Sequence, residues 1–102
     1  MNDPVAALLD ADGSERRALH ELIDFSDKDV LEIGCGNGRA TWYYADCAAS
    51  VLAVDPRERD IAQARQQTPE ALRGRVTFVA DDAAALELTA ATFDVVLFSR
   101  SI

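Results

Sequence analysis

Four residues within a seven-residue span carry the most chemically loaded spacing in this chain: Glu32-x-Gly34-x-Gly36-x-Gly38. Glycines let a backbone turn sharply and let a ligand approach the main chain closely. A helix starting just beyond them adds unpaired N–H donors. Alone, such a loop is also what an ordinary tight strand-to-helix turn looks like. The second feature is Asp55, twenty-one positions after Gly34. An acidic residue at about that distance is where a ribose diol is held, because one carboxylate accepts from both hydroxyls. Asp55 also precedes Pro56 and so suits the cap of a helix starting there. Spacing leaves the two roles close, and the upstream glycine loop favours ribose.

The charges around these residues select among nucleotide ligands. A dinucleotide loop of the form Gly-x-Gly-x-x-Gly needs its third glycine at position 39, where this chain has Arg39. Glu32 interrupts a run that otherwise reads as a buried parallel strand. A buried, unpaired carboxylate is costly, so Glu32 should face a cation or a hydrogen-bond donor. Glu32, Asp55, Asp81 and Asp82 together would repel a pyrophosphate and attract a ligand bearing ammonium and sulfonium charges.

The elements that must position these groups are legible from periodicity. Residues 1–13 read as a loose N-terminal segment. Ser14 to about Asp24 reads as an amphipathic helix carrying Leu19, Leu22 and Ile23. A first strand covers Asp29 to Ile33 and runs into the glycine loop. Arg39 to about Ala49 has apolar residues at 40, 43, 44, 47 and 48, a helical stripe. Val51 to Val54 is a second strand, followed by a helix from Pro56 that buries Ile61, Ala62 and Ala64. Thr68-Pro69-Glu70 starts a helical turn closed by Gly74, and Arg75 to Val79 is a third strand. Ala83 to Leu88 reads as a helical turn or a loop. Phe93 to Phe98 is a fourth strand. Strands separated by helical patterns indicate βαβ units, a parallel sheet and helices on both faces. Ligands on such sheets bind at the strands' carboxyl ends. Here those ends are Gly34–Gly38, Asp55, Asp81-Asp82 and Ser99, all polar, acidic or glycine-rich.

Composition bounds the partners. The 102 residues allow one small domain, with 18 acidic and 10 basic residues and a net charge of −8. Phosphates would be repelled, which argues against non-specific nucleic-acid binding. No stretch approaches the roughly 18 apolar residues of a membrane helix. Met1 to Asp12 lacks the basic and apolar regions of a signal peptide, so the cytoplasm is the expected compartment. Cys35 and Cys47 have neither metal-ligand nor disulfide-framework spacing, and no metal is expected. Lys28 is the sole lysine beside nine arginines. That balance suits a high-salt cytoplasm, and a genome favouring Arg and Ala codons gives it equally. Cys35, near a helix start, has no base beside it to make it a nucleophile. Cys47 falls on the apolar stripe and reads as core. His20, on a helix before the site, reads as a surface or packing residue. Tyr43 and Tyr44 read as core. Trp42 lies off the strongest stripe, where core packing and shielding of a ligand pocket are both open.

The segment Val30-Leu31-Glu32-Ile33-Gly34-Cys35-Gly36-Asn37-Gly38 resembles motif I of the class I S-adenosylmethionine-dependent methyltransferases. Val54-Asp55 resembles their second-strand acidic motif. Phe78-Val79-Ala80-Asp81-Asp82-Ala83 with Leu86 resembles their third-strand segment, with Asp81 in place of the usual glycine. Phe93-Asp94-Val95-Val96-Leu97 resembles their fourth-strand motif. The resemblance covers about residues 14–102. It implies an α/β, Rossmann-like three-layer sandwich whose parallel sheet has the strand order 3-2-1-4. It implies S-adenosylmethionine as cofactor, with Gly34, Cys35, Gly36 and Gly38 along its methionine part and Glu32 at its amino group. Asp55 would accept the ribose hydroxyls, with Pro56 beside the adenine. Asp82 would accept from the adenine amine and the Ala83 N–H would face a ring nitrogen, a register that Asp81 leaves open by one residue. Ser99 would border the methyl group and the substrate. No catalytic base is assigned.

Members of that family have seven strands, in the order 3-2-1-4-5-7-6, and this chain supplies four. The fourth, Val95-Val96-Leu97-Phe98, would then be an exposed apolar edge, prone to association. The sequence is therefore expected to be a fragment, a truncated product or half of a complementing pair. Three functions follow. The first is methyl transfer to a small-molecule acceptor by in-line displacement, with this chain as the cofactor-binding half. The second is a non-catalytic cofactor-binding or interaction module that pairs with itself or another chain through the fourth-strand edge. The third, an NAD-type oxidoreductase domain, is disfavoured by Arg39.

Overall fold

The computed structural model describes residues 5–9, 15–82 and 92–99. The elements are β1 (Val5–Leu9), α1 (Glu15–Leu22), β2 (Asp29–Ile33), β3 (Ser50–Asp55), α2 (Glu58–Gln67), β4 (Val76–Ala80) and β5 (Val95–Ser99), with single 3-10 turns at Thr41–Tyr43 and Glu70–Leu72. The strands form one parallel sheet in the order β1-β5-β2-β3-β4. The four strands read from the sequence are β2, β3, β4 and β5, and they lie in the expected 3-2-1-4 order.

β1 is the departure. Val5–Leu9 is a strand and not part of a loose segment, and it pairs in parallel with β5 over Val5↔Val95 through Leu9↔Ser99. The edge expected to be open on β5 is therefore covered. The physical reason is reciprocal. A run of Val, Ala and Leu is suited to a parallel strand, and β5 left alone would present unpaired backbone groups along an apolar strand. The expectation of pairing with another chain at that edge loses its open partner.

Alternation along the strands divides the core. Val30, Val51, Val76 and Val95 start one face, and the side chains of α1, residues 40–48 and α2 join them in the larger cluster. Leu31, Val54 and Val96 form the second face with half-buried Ile33, Leu52, Val79 and Phe93. Every helix among the described residues contributes to the first face. The turn at residues 83–88 and the contacts of Ala83 lie outside the described residues.

Two helices differ from their sequence reading. α1 buries Leu19, with Ile23 buried just past its end, and leaves Leu22 81% exposed. The stripe from Arg39 to Ala49 is no regular helix. Its amides alternate between i−3 and i−4 acceptors, as Tyr43 N–H to Ala40 C=O at 3.0 Å and Ala45 N–H to Thr41 C=O at 3.1 Å. Ala40, Tyr44 and Ala48 still point into the core, whereas Cys47 is exposed and not core. Thr41 and Tyr44, three residues apart in this stripe, both donate to the buried carboxylate of Glu32.

At the amino ends, Asp94 fixes the register of the central strands. Its carboxylate accepts from the Asp29 N–H at 2.9 Å, and its own N–H donates to the Asp29 carbonyl at 2.8 Å. Ser50 donates to the Asp29 carboxylate at 2.7 Å, tying in β3.

Candidate active site

The strands' carboxyl ends are stitched together by hydrogen bonds around the glycine loop. The Gly34 and Cys35 N–H groups both donate to the Val54 carbonyl, at 2.8 and 3.1 Å. The Asp81 N–H donates to the Asp55 carbonyl at 3.1 Å. Gly34, Gly36 and Gly38 all have positive φ, at 80°, 57° and 91°. Gly34 also permits a close approach, since a Cβ there would lie 2.5 Å from the Ser99 carbonyl oxygen. A Cβ on Gly38 would crowd Trp42 and Phe78, at 3.1 and 3.3 Å. Trp42 meets Phe78 edge-on, with centroids 5.6 Å apart, and joins the core cluster. Its indole thus closes the floor beneath the loop.

Two carboxylates are buried here. Glu32 is 0% exposed and Asp55 3%. Among the described residues no cation pairs with Glu32; hydroxyls do. Thr41 and Tyr44 donate to its Oε1, at 2.6 and 2.5 Å, and Ser99 donates to its Oε2 at 2.5 Å. Burial, then the charge of Glu32, holds the Tyr44 hydroxyl protonated well above its ordinary range. Thr41 and Tyr44 were not singled out as site residues from sequence. The signal was present, because a carboxylate inside a parallel strand requires donors and these two lie three apart just past the loop.

Asp55 works as both a loop tie and a turn cap. Its Oδ2 accepts from the Gly36 N–H at 3.0 Å and its Oδ1 from the Arg57 N–H at 2.9 Å. Arg57 is extended, so α2 starts at Glu58, two residues later than the Pro56 start read from sequence. Pro56 is exposed beside this turn. Each carboxylate oxygen can accept more than one hydrogen bond, so the cap and a ribose diol are compatible uses of the same group.

The remaining candidates divide. Ser99 is half-buried and belongs to the site through Glu32. Asp81 and Asp82 follow β4 at the same end, both exposed, with the Asp82 N–H on the Asp81 carboxylate at 2.7 Å. Cys35 is buried, its thiol directed at the Gly36 carbonyl at 3.6 Å. Burial, then the charges of Glu32 and Asp55, pushes that thiol up, which disfavours the thiolate. His20 Nε2 lies 2.6 Å from the Tyr43 carbonyl and its ring packs edge-on against Phe25. That is a packing role. Among the described residues no helix is long and apolar enough to cross a membrane.

A parallel sheet with a glycine loop flanked by two buried carboxylates defines a nucleotide-type site at the carboxyl edge. The profile of the methyltransferase domain family matches residues 30–102. The chain belongs to this family, the class I S-adenosylmethionine-dependent methyltransferases. It is 36% identical over 74 residues to the mitochondrial ubiquinone biosynthesis O-methyltransferase of Schizosaccharomyces pombe, covering 71% of this chain and 27% of that protein. It is 35% identical over 48 residues to a tRNA U34 carboxymethyltransferase of Saccharophagus degradans, covering 46% of this chain and 15% of the relative. A putative S-adenosylmethionine-dependent methyltransferase from Listeria monocytogenes superposes with a TM-score of 0.70 at 29% identity, covering 85% of this chain and 40% of that structure. The chain thus spans less than half the length of each of these relatives.

Proposed function

We propose that residues 14–102 form the S-adenosylmethionine-binding part of a methyltransferase. The observation that carries this reading is the pair of buried carboxylates, Glu32 and Asp55, on either side of a loop whose three glycines hold positive φ. The donor set fits the cofactor. Carboxylates accept from a diol and from an ammonium group, and they would repel a pyrophosphate. When bound, the cofactor supplies an electrophilic methyl group on a sulfonium sulfur.

The chain's own residues bind and orient. Asp55 accepts the ribose hydroxyls while keeping the Gly36 N–H. Glu32 holds the amino group. Gly34, Cys35, Gly36 and Gly38 present backbone along the methionine part, with Pro56, Asp81, Asp82 and Ala83 on the adenine side. Ser99 stands where the cofactor meets the acceptor. Alignment and exclusion of water are the main demands of an in-line displacement. The acceptor in this proposal is a small molecule, a reading supported by the relative named for ubiquinone biosynthesis. A cytoplasmic setting suits the lack of disulfide-framework spacing between Cys35 and Cys47.

Calorimetric titration with S-adenosylhomocysteine and with NADH tests the reading. Heat with the first and none with the second is expected; the reverse overturns it. Asp55→Ala should lower affinity for S-adenosylhomocysteine about a hundredfold, since two charge-assisted hydrogen bonds are lost.

A further inference from the structure

The two oxygens of Glu32 are held in unlike ways. Oε1 accepts from Thr41 and Tyr44, both fully buried, and the Tyr44 ring is stacked on Phe25 with centroids 4.7 Å apart. Those donors are locked into the core and saturate that oxygen. Oε2 accepts from one hydroxyl, that of Ser99, the half-buried last residue of β5 at the ligand-bearing edge. We propose that the Ser99 hydroxyl is a placeholder on Oε2 that gives way to the cofactor's ammonium group, and that Thr41 and Tyr44 are positioning residues that aim this oxygen at it. The inference rests on the reading above, in which Glu32 receives the amino group.

The physical argument is one of satisfaction without neutralisation. A buried carboxylate oxygen with no donor is costly, so before the ligand arrives it needs one. A hydroxyl supplies it and adds no positive charge, so the attraction for a cation is kept. A serine hydroxyl also rotates about one bond and is acceptor as well as donor. It can therefore leave Oε2 as the ammonium arrives. A lysine or arginine at position 99 would fill the same oxygen permanently.

Removing the placeholder should raise the free energy of the empty chain more than that of the complex. Ser99→Ala should therefore melt at lower temperature yet bind S-adenosylhomocysteine more tightly, by about fivefold. Its affinity for 5′-methylthioadenosine, which has the nucleoside and sulfur without the amino acid, should not change. Ser99→Thr, which keeps the hydroxyl, should behave as the parent. Thr41→Val and Tyr44→Phe should each weaken S-adenosylhomocysteine about tenfold and spare methylthioadenosine. Tyr44→Phe retains the ring stack and Ser99 is only half-buried, so both variants keep their packing.

Weaker binding of S-adenosylhomocysteine by Ser99→Ala overturns the placeholder role. Equal shifts for both ligands across the variants reduce all three residues to general structural support and overturn the proposal. A parent chain that binds both ligands alike, with Glu32→Gln changing neither, overturns the underlying assignment of Glu32 instead.

Discussion

Gly34 leaves no room for a side chain. Its φ is 80° and a Cβ would lie 2.5 Å from a backbone oxygen of β5, which cannot swing aside as a side chain can. Gly34→Ala should cost on the order of 3 kcal/mol in urea denaturation, from a strained φ and a forced shift between β2 and β5. The two cysteines should separate under an alkylating reagent. Cys47 is exposed; Cys35 is 3% exposed and its thiol is held protonated by burial and by the charges of Glu32 and Asp55. Native chain should modify quickly at Cys47 alone, read by mass spectrometry, and at both positions in denaturant. Rapid native labelling of Cys35 would contradict the packing described for the glycine loop. Of the site residues, Glu32, Asp55 and the glycines were legible in the sequence because each does something unusual for its place. Thr41 and Tyr44 were not, because a threonine and a tyrosine on a helical stripe look like packing until the carboxylate they serve is located.

Among the elements, β1 and α2 protect the two ends of the described sheet. β1 pairs with β5 on one of its edges. In a strand paired on one side, successive residues point their N–H groups alternately at the neighbour and away. Proline at Ala6 and proline at Ala7 should therefore differ sharply. One should cost about 3 kcal/mol and expose the β5 edge to association, and the other much less. Denaturation midpoints with sedimentation would read both effects, and two small, equal losses would show that β1 is not paired. At the other end, Arg65 on α2 donates through Nε and Nη2 to the Phe78 carbonyl of β4, at 3.1 and 2.7 Å. A guanidinium on an edge carbonyl blocks the approach of another strand there. The sequence showed the four central strands through β-branched runs bounded by turn residues. It did not show β1, because five apolar residues in isolation fit a strand, a helix or a loose segment equally well.

The whole molecule should be sensitive to alkali. Cys35 and Tyr44 ionise near 9 and 10 in an unfolded chain, and burial raises both values in the folded one. Their contribution to stability is complete below those unfolded values. It falls as pH rises above them, because only the unfolded chain can release the protons. The urea midpoint should therefore be flat from neutrality to about pH 8.5 and decline steadily above it. Tyr44→Phe and Cys35→Ala should each lower the starting stability and flatten that decline. An unchanged slope in both variants would show that other groups govern it. The net charge of −8 adds self-repulsion at every pH above neutrality.

The sequence by itself determined the parallel sheet and its four central strands, from apolar runs and periodicity bounded by glycines and turn residues. Its motifs carried the resemblance that implied the strand order and the family. Only the tertiary structure decided three further things. It put β1 on the edge of β5, it turned the stripe after the glycine loop into an irregular turn, and it gave Glu32 three hydroxyl partners. The first, and the Ser99 partner of Glu32, depend on residues far apart in the chain meeting in space. The pairing of Val5 with Val95 and the bond from Ser99 to Glu32 are long-range contacts. A buried carboxylate states that it needs donors, but the fold alone selects which ones.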